Sequence, residues 1–125
     1  MPLKILIVDD EAHIRMLIEQ TLEDLEDEGV EFMSADNGSA ALDMILAEHP
    51  AIVLLDVMMP KMNGFDVCKA VKRDHQLDDI TIVMLTAKGQ EVDRARGDEV
   101  GANYYLTKPF DPDRLLDLVR ATLRL

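Results

Sequence analysis

Leu3-Lys4-Ile5-Leu6-Ile7-Val8-Asp9-Asp10-Glu11 is the stretch whose reading decides the fold. Its first part is a nearly unbroken run of Ile, Leu and Val, the composition of a strand buried on both faces. Three acidic residues then stop it. The same pattern returns along the chain: residues 51–55 lead to Asp56, 80–85 to Thr86 and 102–107 to Lys108. In an open parallel α/β sheet the carboxyl ends of the strands share one edge, and ligands bind there. Residues from opposite ends of the chain would therefore converge on one site of three carboxylates, a hydroxyl and an ammonium.

Helical patterns alternate with these runs, as expected of βαβ units. Ile14, Leu17, Ile18, Leu22 and Leu25 follow the first strand at helical spacing. Val30–Ala35 alternates apolar and polar residues, and beyond the turn Asp36-Asn37-Gly38 comes a helix through Leu42, Ile45 and Leu46. The loop 56–63 precedes a helix from Gly64 with Phe65, Cys68 and Val71 inward. A polar helix near residues 90–100 carries only Val92, Ala95 and Val100 as its apolar stripe. Asp111-Pro112 reads as N-cap and first helical residue, opening a last helix lined by Leu115, Leu118, Val119 and Thr122. The mixed runs two and five (Glu31, Ser34; Asn103, Thr107) suit sheet edges, and runs one, three and four suit the interior. The expectation is one α/β domain over residues 1–125, a doubly wound, flavodoxin-like sheet of five parallel strands in the order 2-1-3-4-5.

At 125 residues the chain can bury a core without staples, and a single cysteine, Cys68, excludes an internal disulfide. Cys68 is expected on a buried helix face rather than as a nucleophile. Net charge is −12, which argues against direct contact with nucleic acid, because phosphate contacts need Lys and Arg clusters. The acidic crowd Glu23, Asp24, Glu26, Asp27, Glu28 and Glu31 reads as a solvated helix end. No basic leader precedes a long apolar stretch, and no apolar run approaches the roughly 18 residues of a membrane span; a soluble, cytoplasmic domain is expected. His13, His49 and His75 show no zinc-ligand spacing with Cys68 or one another. The eight Met residues are expected as core filler, except Met58 and Met59 beside Asp56.

Three carboxylates close together repel, each pair by about 1–4 kcal/mol at 4 Å depending on screening. Lys108 leaves two negative charges uncompensated, which one Mg²⁺ would cancel; Mg²⁺ binds through one or two carboxylates with waters and phosphate. The alternative, that Asp9 and Asp10 merely punctuate a strand end, does not explain the whole set, each member at its own strand end.

Val8-Asp9-Asp10-Glu11, Leu55-Asp56-Val57-Met58-Met59-Pro60 with Asn63-Gly64, Thr86-Ala87 and Lys108-Pro109-Phe110 together resemble the response-regulator receiver domain of two-component signalling. Each motif alone is a weak signal; the ordered set, from Leu3 to about Leu123, is specific. The chemotaxis receiver, a known instance of the strand order 2-1-3-4-5, belongs to that family, so order and resemblance are not independent. The resemblance implies that Asp56 is the nucleophile, accepting a phosphoryl group from a phosphohistidine of a sensor histidine kinase or phosphotransfer protein, or from a small acyl phosphate. It implies Mg²⁺ held by Asp10, Asp56 and the Met58 backbone carbonyl, with Asp9 acting through water. Lys108 would pair with the phosphoryl oxygens, Thr86 would donate its hydroxyl to them, and Tyr105 would be the switch aromatic. Lys108-Pro109 would be a cis peptide. Met58 and Lys88 would flank the path of attacking water and tune the lifetime of the phosphorylated state. The output surface would be the fourth helix, fifth strand and fifth helix, serving a homodimer or a separate target. The protein would be no enzyme beyond its own phosphorylation and dephosphorylation.

Three other readings remain open to test. An aspartyl-phosphate hydrolase would need Asp-x-Asp-x-Thr after the first strand, where this chain has Asp9-Asp10-Glu11-Ala12-His13, and a cap domain. A flavodoxin-like electron carrier would want a Gly- and hydroxyl-rich phosphate loop where three acidic residues stand. A pseudo-receiver, purely an interaction module, would not need the intact site. Turnover of a phosphatase substrate would reveal the first and absorbance near 450 nm the second. No linker or DNA-binding module is read after the last helix; an effector domain beyond Leu125, the cognate kinase and the signal are not legible.

Overall fold

The structure, a computed structural model, describes residues 3–87 and 92–125. Its five parallel strands, β1 (Leu3–Val8), β2 (Val30–Ala35), β3 (Ile52–Asp56), β4 (Thr81–Ala87) and β5 (Tyr104–Lys108), lie in the order β2-β1-β3-β4-β5. The predicted order is thus observed. β1 and β3 are bonded on both sides, and from Ile5 and Ile52 onward their residues are buried through to the strand ends. The edge strands β2 and β5 are only partly buried.

Helices α1 (Ala12–Leu22), α2 (Gly38–Glu48), α3 (Gly64–Lys69), α4 (Val92–Val100) and α5 (Pro112–Leu123) cover both faces. One apolar cluster joins Leu6, Val8, Val53, Leu55 and Met84 of the sheet to Ala41, Ile45, Phe65, Cys68 and Val71 on the α2–α3 side. The other joins Ile5, Ile7, Leu54, Val83 and Leu106 to Ile18, Leu22, Leu115 and Val119 on the α1–α5 side. Side-chain caps start α2, α3 and α5, the last of them predicted. The side chains of Asn37, Asn63 and Asp111 accept from the backbone N–H groups of Ala40, Asp66 and Asp113, and Pro112 takes the first helical position.

Several local expectations need correction. α1 stops at Leu22, and Leu25 is buried from a separate 3₁₀ segment, Glu23–Glu28, that ends on Gly29 in the left-handed region. Leu17 and Leu46 are each 43% exposed, because the buried stripes of α1 and α2 run narrowly through Ile18–Leu22 and Ala41–Ile45. Ala95 of the α4 stripe is exposed. Met84 is buried and Met33, Met44, Met59 and Met62 pack on the core, but Met16 joins Met58 at the surface. The ladder of β5 begins two residues later than read: Asn103 bonds Ile82 through both its backbone N–H and its side-chain oxygen, so regular pairing starts at Tyr104. α3 continues through a π-helical turn, Ala70–Asp74. No described helix is long and apolar enough to cross a membrane.

Candidate phosphoacceptor site

Register brings the predicted residues together. Val8 pairs Leu55, which places Asp9 beside Asp56; Asp56 pairs Leu85, so Thr86 stands one step beyond it. Ala87 pairs Lys108 on the next strand. Asp9, Asp10 and Asp56 offer oxygens that all lie within 4.8 Å of one another. Asp9, Asp56 and Thr86 are buried, whereas Asp10 is exposed.

Lys108 ties the group together. Its ammonium lies 2.6 Å from Asp9 Oδ2 and 3.2 Å from Asp56 Oδ1. Burial pulls the Lys108 pKa down, but the hydrogen bond to Asp9 and the charges of Asp56 and Asp9 outweigh it and raise the value. Asp56 is pushed up to about 6 by burial first and by the charge of Asp9 second, against the opposing pull of Lys108. A carboxylate so destabilised has affinity for any added cation.

Asp9 is saturated. Its Oδ1 accepts from the Glu11 N–H at 3.0 Å, its N–H donates to the Ala35 carbonyl at 3.2 Å, and its own carbonyl accepts from Arg15 Nη1 at 2.6 Å. Asp10, by contrast, has no hydrogen-bonding partner for its carboxylate among the described residues. The donor set is all hard oxygen and net negative, which fits Mg²⁺. Asp10 and Asp56 Oδ2 are the open ligand oxygens, whereas both carboxylate oxygens of Asp9 are engaged, by the Glu11 N–H and by Lys108, which suits a contact through water.

The loop after β3 completes the rim. The Met58 N–H reaches towards Asp56 Oδ1 at 3.4 Å, and the Met58 side chain is 64% exposed. Gly64 closes the loop by donating to the Val57 carbonyl at 2.9 Å; a Cβ there would stand 2.4 Å from the Asp56 carbonyl oxygen. Lys108-Pro109 is cis, as predicted. Tyr105, half-buried against the α2–α3 cluster, donates its hydroxyl to Asp98 Oδ1 of α4 at 2.5 Å. Tyr104 beside it is exposed. Lys88 lies outside the described residues. Cys68 is buried and its thiol pushed up to about 11 by desolvation, so it is inert. Sequence reasoning missed Arg15 and Asp98, whose roles depend on contacts that no local pattern announces.

Residues 5–120 match the model of the response regulator receiver domain. The probable transcriptional regulator ycf27 of Porphyra purpurea is 45% identical over 121 residues, covering 97% of this chain and 47% of that protein. The chain thus spans about half the length of the curated relatives it matches. The chemotaxis protein CheY4 of Vibrio cholerae superposes with a TM-score of 0.83 at 34% identity, over 98% of this chain and 99% of that one. The BeF3-activated DrrB receiver domain superposes at 0.85 with 30% identity over the full length of both. The carboxylate trio at the strand edge, the lysine that bridges it and the sheet order all have their place in this comparison, and the chain belongs to the response regulator receiver family of two-component systems.

Proposed function

We propose that Asp56 accepts a phosphoryl group in a Mg²⁺-dependent reaction and thereby switches an interaction surface. The observation that carries this reading is the bridging of Asp56 by Lys108 at 3.2 Å within a trio of carboxylates less than 4.8 Å apart. A carboxylate oxygen of Asp56 attacks the phosphorus of a phosphohistidine on a sensor kinase or phosphotransfer protein. The new O–P bond forms as the P–N bond breaks, and the imidazole leaves with its electron pair. A small acyl phosphate serves in the same way, releasing its carboxylate.

Phosphoryl transfer needs positioning and charge stabilisation above all. Lys108, already beside Asp56, meets the phosphoryl oxygens, and Thr86 offers its hydroxyl from the next strand. Asp10, Asp56 and the Met58 carbonyl would hold Mg²⁺, which neutralises the developing charge. Activation of the DrrB receiver by BeF3, a phosphoryl-like group, supports the same chemistry here.

The readout runs through α4, β5 and α5. Movement of Thr86 towards the phosphoryl group would free space for Tyr105, and its hydrogen bond to Asp98 couples that movement to α4. A second copy of the domain, or a separate target, would read this face. Acetyl phosphate with Mg²⁺ should add one phosphoryl mass to the intact protein; omission of Mg²⁺, or Asp56→Asn, should abolish it. Undiminished labelling of Asp56→Asn would overturn the reading.

A further inference from the structure

Arg15 stands in the second turn of α1 and is partly buried. Side chains on a helix lean back towards its N-terminus, and the Arg15 guanidinium reaches back to donate to the Asp9 carbonyl at 2.6 Å. That carbonyl belongs to the peptide joining Asp9 to Asp10. The N-cap of α1, Glu11, makes no side-chain capping bond. The acidic loop is held from within by the Asp9 carboxylate on the Glu11 N–H, and from the helix by Arg15.

The Asp10 carboxylate is exposed and has no partner among the described residues. No side-chain contact among the described residues holds it, so the Asp9–Asp10 peptide is what sets the position and Cα–Cβ direction from which the carboxylate reaches. We propose that Arg15 is a positioning residue that fixes this peptide and thereby aims the Asp10 carboxylate at the cation. The inference rests on the proposed Mg²⁺ site.

Charge and positioning make opposite forecasts. Loss of a cation beside an acidic cluster would by Coulomb's law alone tighten cation binding. Loss of a group that orients a ligand weakens it, by roughly tenfold or more for such outer partners. Mg²⁺ demands near-octahedral geometry, whereas Ca²⁺ tolerates irregular sites, so a misaimed Asp10 should penalise Mg²⁺ more.

Titrate Mg²⁺ and Ca²⁺ separately into the parent, Arg15→Met and Arg15→Lys by calorimetry, with metal-free urea midpoints as a control on folding. Arg15→Met should bind Mg²⁺ roughly tenfold more weakly, with a smaller loss for Ca²⁺, and Arg15→Lys should recover most of the deficit. Should Arg15→Met fail to fold, Arg15→Gln, too short to reach the carbonyl, replaces it. Equal or tighter Mg²⁺ binding by a folded variant overturns the inference, as does an equal loss for both ions. A parent that binds neither ion overturns the proposed site itself, which separates that failure from the first.

Discussion

Asp56→Asn should stabilise the metal-free protein, and the gain should depend on pH. The Asp56 carboxyl titrates at about 6 in the folded chain against 3.8 for an ordinary Asp. Between those values the folded state holds a proton that the unfolded state has lost. Stability therefore falls as pH rises through this window, and the loss is complete above the folded pKa. The difference, about two units at roughly 1.4 kcal/mol each, gives about 2–4 kcal/mol at pH 7. Asn has the shape of the protonated acid and still presents an oxygen to Lys108, so it should recover that amount. The melting temperature should rise by about ten degrees at pH 7 for a domain of this size. The gain should shrink towards zero near pH 4. Urea unfolding of both proteins in chelator, from pH 4 to pH 7.5, measures it, with constant slopes confirming comparable unfolding. Acids remote from Asp56 titrate alike in both proteins and cancel in the comparison. Equal midpoints at pH 7, or a gap that widens towards acid, would refute the reasoning.

Millimolar Mg²⁺ should raise the melting temperature of the parent, by about 2.7 kcal/mol of added stability at a hundred times Kd; Asp10→Ala should lose most of that rise, and an equal rise in both would locate the ion elsewhere on the acidic surface. Gly64→Ala should cost about 1–3 kcal/mol, because the new Cβ meets the Asp56 carbonyl at 2.4 Å; an unchanged urea midpoint would contradict this. The phosphorylated state should decay slowly, because neither Met58 nor Lys88 offers a carboxylate or amide to orient water; Met58→Asn should accelerate decay, and an unaltered rate counts against the idea. Beryllofluoride should change amide exchange in the fourth helix and at residues 104–108, with light scattering deciding between dimer and monomer; changes elsewhere with both of these segments unaltered would exclude the output surface.

The site was legible because each of its residues ends a strand, and parallel strands share a carboxyl edge. Composition separated edge from interior strands, since Glu31 and Ser34 do not suit a strand buried on both faces, and the full order came with the family resemblance. The cap at Asp111 was a local signal and held, whereas Asn37 and Asn63, read only as turn and loop residues, cap their helices as well. What escaped was tertiary. Leu17 and Leu46 fit an apolar helical spacing, but their faces have no neighbour to bury them. Asn103 passes for a strand residue until its side chain takes over a ladder bond from Ile82. The Tyr105–Asp98 and Arg15–Asp9 bonds join residues on different elements, and no periodicity reports them.

The most direct test of Asp56 as the phosphoacceptor is chemical trapping. Borohydride reduces an acyl phosphate to the alcohol, so a phosphorylated Asp becomes homoserine. The protein is treated with acetyl phosphate and Mg²⁺, reduced, digested and sequenced by mass spectrometry. Homoserine should appear at position 56 and vanish when Mg²⁺ is chelated. Homoserine at Asp9 or Asp10, or at no position despite a phosphoryl mass on the intact chain, would contradict the account.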